Sequence, residues 1–416
     1  MKEKNIIFPW KLFISLILLN FIPNLYETVK IFFINSSATS LDVVSQIEWF
    51  DLINEVLITF LTVPLYALLN NEENSEKFKT RVFQTFFLTC ILYCLFSIIV
   101  YVNAHHMVTF MTGNNHAETI QYLQLETIAF VIGIIPSFFI IIFTIVRKER
   151  LINLMLFVKM FAIIIGDFIL IDKYGSFGIA YANMLTNILL AIVCITIALH
   201  EQFIQLDFHF ELSFLKLWFR VGSFCAGQIF LDNWIYAVLV CKMVNAVSEQ
   251  GNYWIVNSFI WNWLLVPCIA LGEIVKTDCK NGFKNLNMKQ YWKLICMIVV
   301  VWICTIPSWS WIFKTLMHVN DVNAIMKIVF LLVPFYVAYM IASVLDNVFY
   351  GLGKTEYNFI ISMVVNIVYY GIVYVLFKIG IFTMNIHFII YMFGFGMVVH
   401  AFFSIVLFLH LQKSNR

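Results

Sequence analysis

The chain has 416 residues, of which 62% are hydrophobic and 12% are charged, and its formal net charge is +2. Soluble domains carry about 25% charged residues, so this composition excludes a soluble globular protein. The apolar residues form blocks of about 20 residues or more, long enough for a helix to cross a bilayer. The basic residues form no patch that would bind nucleic acid. We therefore expect an all-α polytopic protein whose surroundings are the lipid bilayer.

Polar interruptions divide the sequence into twelve candidate membrane spans. The predicted spans are residues 8–34, 47–69, 82–103, 119–146, 151–172, 177–199, 214–241, 251–275, 293–313, 324–350, 357–379 and 386–410. The first block is too continuous for a cleaved signal peptide, and no A-x-A site follows it. We interpret it as the first span.

The basic residues predict the orientation of these spans. With the amino terminus in the cytoplasm, sixteen Lys and Arg residues fall on the inner side. Five fall on the outer side, namely Lys30, Lys173, Lys242, Lys314 and Lys378. This bias follows the positive-inside rule. We therefore predict a plasma-membrane protein with both termini in the cytoplasm.

The two halves of the sequence align when one is shifted by 205 residues (216 − 11). The aligned pairs include Lys11 and Lys216, Glu27 and Asp232, Trp49 and Trp254, Asn153 and Asn358, Lys173 and Lys378, and Gly175 and Gly380. A repeat of six spans keeps the same orientation in both copies, as in transporters with parallel repeats. The sequence therefore predicts two pseudo-symmetric six-helix lobes, residues 1–205 and 206–416.

Polar side chains share one face of the first span. Asn20, Asn24 and Glu27 follow i, i+4, i+7 spacing, and Pro23 favours a kink among them. A carboxylate at the centre of a membrane helix costs about 2.5–3.5 kcal/mol. We therefore expect this face to be turned away from lipid. The alternative is a pair between Glu27 and Lys30 at the outer interface, which requires no function.

Asp167 lies inside an unbroken apolar run in the fifth span. A carboxyl group in such a place can alternate between a neutral protonated form and a cation-binding carboxylate. This property favours a role in ion binding. The alternative is a permanently protonated side chain that forms a hydrogen bond between helices.

Other acidic and amide residues indicate a wet cavity with negative potential. Gln228 and Asp232 are i, i+4 neighbours in the seventh span, Asp51 and Glu55 lie one turn apart in the second, and Glu126 lies in the fourth. Such a cavity suits a lipophilic cation, which aromatic rings also attract.

Enzyme chemistry is not indicated. His105 and His106 fall in a predicted outer loop, and no nucleophile–base set or metal-ligand spacing is visible. The nine cysteines lie mostly in apolar runs, where they act as small packing residues. We expect no enzyme activity and no cofactor.

Four stretches resemble a known family of transporters. "NLYETV" is similar to the first-helix pattern around an acid, and "GDFILIDKYGSFGIAYANMLT" to the fifth-to-sixth helix pattern. "GQIFLDNWIY" resembles the acid-bearing seventh helix, and "VFYGLGKTEYN" the turn after the tenth. The chain thus resembles the multidrug and toxic compound extrusion (MATE) transporters over nearly its whole length. Their wider superfamily also contains polysaccharide and lipid II flippases.

This resemblance implies an antiporter that exports small lipophilic cations by alternating access. No small-xxx-small stripe demands a dimer, so we expect a monomer. H+ or Na+ would drive export, and no other metal is expected. Glu27 and Asp167 would bind the ion, with Thr186 and Asn183 supplying oxygens. The substrate cavity would be lined by Asn20, Asn24, Asp51, Glu55, Glu126, Gln228 and Asp232.

Three questions stay open on sequence grounds. A flippase for a lipid-linked oligosaccharide or polysaccharide precursor shares the same fold, and a non-transporting scaffold or receptor is a third class. In the carboxyl-terminal lobe, the position of the tenth-helix acid of some family members falls near Tyr339, so whether this lobe has its own ion site stays open. Asp346, near the cytoplasmic end of the tenth span, is a candidate for snorkelling or for capping a loop.

Overall fold

The described residues form twelve long helical segments. The computed structural model describes residues 8–34, 43, 47–69, 76–112, 117–208, 210–241, 243–244, 247, 250–280, 282–317, 319 and 321–414. These residues contain no β-strand. Each helical segment overlaps one predicted span, so the apolar blocks identified the elements correctly.

The first six segments are uninterrupted α-helices. They are α1 (Trp10–Ile34), α2 (Glu48–Leu69), α3 (Glu76–Thr112), α4 (Ala117–Ile145), α5 (Glu149–Tyr174) and α6 (Ser176–His200). Proline lies inside α1, α2 and α4, at Pro23, Pro64 and Pro136. Proline is tolerated inside membrane helices where neighbours satisfy the freed carbonyl group.

Four of the last six segments contain a π-helical turn. They are α7 (Leu212–Ile235, then Tyr236–Cys241), α8 (Gln250–Phe259, Ile260–Leu264 and Val266–Asp278), α9 (Met288–Trp311, then Ile312–Leu316), α10 (Val322–Gly351), α11 (Thr355–Met363, Val364–Tyr369 and Tyr370–Lys378) and α12 (Ile386–Ser414). The second range of each interrupted segment is the π-helical turn. Single π-helical turns inside α-helices are frequent at functional sites.

The lengths and hydropathy of these helices fit a membrane protein. Within the described ranges, nine helices are long and apolar enough to cross a bilayer, or ten if α8, bent by 48°, counts as one span. Exposed leucine, isoleucine and phenylalanine side chains cover many of them, as on Phe157, Phe161 and Phe168 of α5. The prediction of an all-α polytopic membrane protein is confirmed.

The described chain forms two compact units. One comprises Ile14–Leu19 and Val29–Phe219, and within it α5 and α6 pack along each other and α6 packs on α4. The other comprises Met1–Phe13, Asn20–Thr28 and Arg220–Arg416, and its most extensive helix pair is α10 and α12. The domain boundary predicted between residues 205 and 206 stays a prediction.

Two glycines matched by the predicted repeat both have a positive φ. Gly175 follows α5 with φ 57°, and Gly380 follows α11 with φ 84°. Glycine adopts positive φ without the steric cost that a Cβ atom brings, and it often ends helices in this way. The repeat therefore matches two glycines with positive φ near helix ends: Gly175 directly follows α5, whereas Ile379 stands between α11 and Gly380.

The close packing of α5 and α6 depends on a glycine. A Cβ atom at Gly178 would lie 2.3 Å from the backbone oxygen of Leu170. We expect Gly178→Ala to lower the thermal unfolding midpoint in detergent, because backbone atoms must move and overpacking costs about 1–3 kcal/mol. Gly371→Ala is the matched control, since a Cβ atom there meets nothing within 4 Å. Equal midpoints for the two variants would contradict this account of the helix contact.

Candidate ion and substrate sites

Asp167 lies on α5, buried against α6. It is 5% exposed, and the neighbouring Gly166 brings the two helices together, since a Cβ atom there would lie 3.1 Å from the Cβ of Ala182. Thr186, one turn further along α6, is 3% exposed. Its hydroxyl oxygen is buried without a hydrogen-bond partner in the described chain. The structure thus places these two predicted ion ligands on closely packed helices, each with a buried polar group.

Glu126 and Asn183 meet between α4 and α6. Asn183 Nδ2 donates to Glu126 Oε1 at 2.8 Å, and Tyr122 Oη donates to the same oxygen at 3.1 Å. Glu126 is 3% exposed. From the sequence, Asn183 is predicted to belong to the ion site and Glu126 to the substrate cavity. The structure joins them in one buried hydrogen-bonded group.

The remaining predicted residues of the amino-terminal half lie on α1 and α2. Asn20 and Asn24 are partly buried, and Asn24 Nδ2 lies 3.5 Å from the backbone oxygen of Asn262 in the π-helical turn of α8. Asp51 and Glu55 have exposed side chains. Glu27 belongs to α1, but its side chain lies outside the described residues, so its predicted role as an ion ligand stays a prediction.

Asp232 is surrounded by hydrogen-bond donors. Its Oδ1 accepts from Ser362 Oγ at 2.6 Å and from Asn366 Nδ2 at 2.5 Å, both on α11. Its Oδ2 accepts from Gln228 Nε2 at 3.3 Å, so the predicted i, i+4 pair on α7 is in contact. Tyr350 of α10 donates its hydroxyl hydrogen to Gln228 Oε1. Three helices therefore supply one connected group of polar side chains.

Asp346 forms a buried pair with a histidine. Its Oδ2 lies 2.8 Å from Nε2 of His400, and its Oδ1 accepts from Ser404 Oγ at 2.9 Å. The side chains of Asp346 and His400 are 13% and 19% exposed. The snorkelling and loop-capping interpretations of Asp346 are wrong, because its carboxylate bonds to side chains of α12 instead of reaching water or a loop.

The two acids of the carboxyl-terminal half belong to one network. Tyr350 interacts electrostatically with both Asp232 and Asp346, and so does His400. The network, hereafter the C-terminal polar network, consists of Gln228, Asp232, Asp346, Tyr350, Ser362, Asn366, His400 and Ser404. It combines two carboxyl groups and one imidazole in apolar surroundings, and these groups can bind, hold and release a proton.

The sequence contained a signal for this network. Gln228 and Asp232, Asp346 and Tyr350, Ser362 and Asn366, and His400 and Ser404 are four i, i+4 pairs, each on a different helix. Such spacing places both members on one helix face. Only the first of these pairs was recognised from the sequence. His400 was not recognised, because its partner Asp346 lies on another helix, 54 positions away in the sequence.

Acids outnumber bases among the buried charged residues of the described chain. Glu126, Asp167, Asp278 and Asp346 are buried, whereas Lys276 is the one buried base. Lys276 Nζ is 2.7 Å from Glu273 Oε1, so its charge is balanced locally. Tyr291 Oη donates to Asp278 Oδ2 at 2.6 Å, which satisfies that acid near the end of α8. Among the buried charged side chains of the described residues, acids therefore outnumber bases four to one.

Comparisons with known proteins identify the fold. No family model matches the sequence, and no curated protein matches it. Solved structures match over almost the full chain. One is an outward-facing multidrug resistance MATE family transporter of the MOP superfamily, with 15% identity, TM-score 0.84, and 98% of this chain and 95% of that chain covered.

Two further structures agree. A MOP superfamily transporter from Pyrococcus furiosus, whose binding pocket of reverse polarity suggests a different function, has 16% identity and TM-score 0.82, covering 98% and 95% of the two chains. The Vibrio cholerae MATE transporter VcmN in the bent form has 14% identity and TM-score 0.77, covering 98% and 97%. The chain is a multi-pass membrane protein with the fold of the MATE transporters, as the sequence motifs predicted.

Proposed function

We propose that the protein is a cation-coupled antiporter that exports lipophilic, cationic small molecules by alternating access. The observation that carries this proposal is the presence, in each compact unit, of buried carboxyl groups held among polar partners from other helices. The desolvation penalty of a buried charged pair is often as large as the attraction between the two charges. Such groups are therefore weak evidence of a stabilising role. Intramembrane acids are functional candidates by default.

The coupling ion would bind in the amino-terminal half at Glu27 and Asp167, with Thr186 and Asn183 supplying oxygens. The unsatisfied hydroxyl of Thr186 supports this assignment, because a buried polar atom without a partner costs about 1–3 kcal/mol. An ion or an ordered water would remove that cost. Coupling then requires only that the ion and the substrate favour different states of the protein.

The substrate class follows from the sign of the buried charge. An anionic lipid-linked sugar would require buried arginine or lysine on its path, whereas Lys276 is paired with Glu273. Contacts to a cationic substrate would come from Asn20, Asn24, Asp51, Glu55 and Glu126. Gln228 and Asp232 were also assigned to the substrate cavity. Both are also hydrogen-bonded to protein partners in the C-terminal polar network.

The proposal predicts cation export from sealed proteoliposomes. Ethidium loaded inside vesicles that contain the purified protein should leave faster when a proton or sodium gradient is imposed, and not when gradients are dissipated. The measurement is the fluorescence of exported ethidium when it binds DNA in the medium outside the vesicles. Liposomes without protein are the control. Movement of a fluorescent lipid-linked oligosaccharide without ethidium export would instead favour the flippase. If neither compound moves, both candidate functions are contradicted.

A further inference from the structure

We infer that a groove along α11 binds one membrane phospholipid with an anionic headgroup. The phosphate would lie at Lys378, and one acyl chain would follow the helix to its π-helical turn. This inference goes beyond the proposed transport function and does not depend on it. It is carried by three observations: the open space beside the helix, the charge at one end of that space, and its length.

Two cavities adjoin each other on α11. The first has a volume of about 400 Å³ and is lined by residues of this helix from Ile367 to Leu376. The second has a volume of about 500 Å³ and lies between α11 and the end of α7. Gly371 lines both cavities, so we treat them as one surface, hereafter the α11 groove. Each volume lies within the range of small-molecule sites, about 300–1,000 Å³.

A glycine opens the middle of the α11 groove. A Cβ atom at Gly371 would meet nothing within 4 Å, whereas one at Gly178 would meet the backbone of α5. Gly371 is also absent from the glycines with positive φ in the described chain. Glycine destabilises a helix interior relative to alanine. Because neither the backbone nor a neighbour requires glycine here, the space beside it is the feature that a larger residue would remove.

Apolar side chains line the α11 groove on both sides of this glycine. Ile367 and Val375 lie four residues before and after Gly371, so all three share one helix face. The two side chains are 56% and 54% exposed. Ile235 and Leu239 line the opposite wall, on α7. A hydrocarbon chain is the ligand that such walls favour, since burying apolar surface is the dominant gain on binding.

The α11 groove ends at a positive charge. Lys378 is the last residue of α11 and its side chain is exposed. Its Nζ lies 5.5 Å from the centre of the Tyr374 ring, and both side chains line the groove. Tyrosine is enriched at the level of the lipid headgroups. The ammonium group and the tyrosine hydroxyl are both hydrogen-bond donors, so together they suit a phosphate.

The length of the α11 groove matches one leaflet of the bilayer. Val368 and Lys378 are ten residues apart (378 − 368), which is about 15 Å at 1.5 Å per residue. Half of a hydrocarbon core of about 30 Å is also about 15 Å. Val368 belongs to the π-helical turn Val364–Tyr369, near the middle of α11. An acyl chain whose headgroup lies at Lys378 would therefore end at this turn.

Other occupants fit the α11 groove less well. A lipophilic cation, the substrate class proposed above, would meet the like charge of Lys378. A free phosphate would gain nothing from the apolar walls. An anionic phospholipid satisfies both ends, because its chain contacts the apolar residues and its headgroup contacts the lysine.

The first test compares two lipids that differ in headgroup charge. The full-length protein in detergent is mixed with phosphatidylglycerol or phosphatidylcholine of the same acyl chains, and native mass spectrometry counts the lipids retained. We expect one phosphatidylglycerol to bind, with an affinity about fivefold above that of phosphatidylcholine, because one lysine near a headgroup contributes about this factor. Lys378→Gln should remove this preference.

Lys314→Gln is the matched control for the charge. Lys314 lies near the end of α9 on the same predicted side of the membrane, and its side chain is also exposed. It does not line the α11 groove. The control variant should therefore keep the preference for phosphatidylglycerol.

The second test fills the α11 groove. Gly371→Leu should lower the binding of both lipids by about tenfold or more, and Gly371→Ala should lower it less. A ligand that binds the folded state raises the unfolding midpoint. Phosphatidylglycerol should thus raise the midpoint of the wild type but not that of Gly371→Leu. Without lipid, all three proteins should unfold at similar temperatures, since nothing lies within 4 Å of a Cβ atom at this position.

Four results would overturn the inference. They are equal binding of the two lipids by the wild type, an unchanged preference in Lys378→Gln, wild-type binding by Gly371→Leu, and displacement of the lipid by glycerol phosphate, which has no acyl chain. A dimer that carries no lipid and is lost in Gly371→Leu would also overturn it, by assigning the groove to a second copy of the chain. No step of these tests involves export. Failure of the ethidium experiment would therefore contradict the proposed function and leave the lipid site standing.

Discussion

Replacing Asp167 by asparagine is expected to abolish cation-driven export while the protein stays folded. Asparagine has nearly the same shape but carries no charge and cannot bind a proton. Because Asp167 is 5% exposed in the packed region between α5 and α6, shape must be kept for the test to be clean. We expect ethidium export from proteoliposomes to fall by about tenfold or more, which corresponds to about 1.4 kcal/mol of lost coupling.

Asp172→Asn provides the control for this prediction. Asp172 lies on the same helix, five residues further on, with an exposed side chain. The two variants make the same chemical change on α5 at different burial. Export should persist in Asp172→Asn, and both proteins should elute as wild type from a size-exclusion column. Wild-type export by Asp167→Asn would remove this residue from the mechanism and leave a structural hydrogen bond as its role.

The helices were predictable because the bilayer imposes a simple rule. A membrane helix must satisfy its backbone internally and present about 20 apolar residues, so apolar blocks locate it. The ends were less predictable. We predicted the third span from residue 82 to 103, whereas α3 runs from Glu76 to Thr112. Beyond the hydrocarbon no hydropathy signal marks where a helix stops, and local helix formers extend it into polar sequence.

The π-helical turns could not be predicted. They occur in α7, α8, α9 and α11, in stretches such as "VVNIVY" whose composition does not differ from the surrounding apolar sequence. A π-helical turn arises where packing or an inserted residue disturbs the regular bonding, which is a tertiary effect. Pro23 lies inside α1, and the kink predicted there stays a prediction.

The candidate sites were predictable as residues and less so as contacts. The cost of burying charge singled out Asp167, Glu126 and Asp232 from the sequence, and spacing placed Gln228 beside Asp232. Partners across helices, such as Asn183 for Glu126, depend on which faces meet. The helical period of 3.6 residues shows which residues share one face of a helix, but it does not show which other helix packs against that face. The same limit concealed His400, whose partner lies 54 positions away in sequence.

Changing one residue of the Asp346–His400 pair should destabilise the protein more than changing both. Removing one member of a buried pair typically costs about 3–5 kcal/mol, because the other is left without its partner. Replacing both by apolar residues is often neutral. We therefore expect Asp346→Leu and His400→Leu each to lower the thermal unfolding midpoint in detergent. The double variant should recover most of that loss.

The double variant leaves one further polar side chain without its partner. Ser404 loses its acceptor on Asp346 in that variant, but its hydroxyl can turn to the carbonyl of residue 400, one turn back along α12. The protein should thus remain packed, and its unfolding midpoint should lie near that of the wild type. Losses of stability that simply add in the double variant would mean that the two side chains act independently. In that case a contact of 2.8 Å between them would carry no coupling energy, and the network would not act as one site.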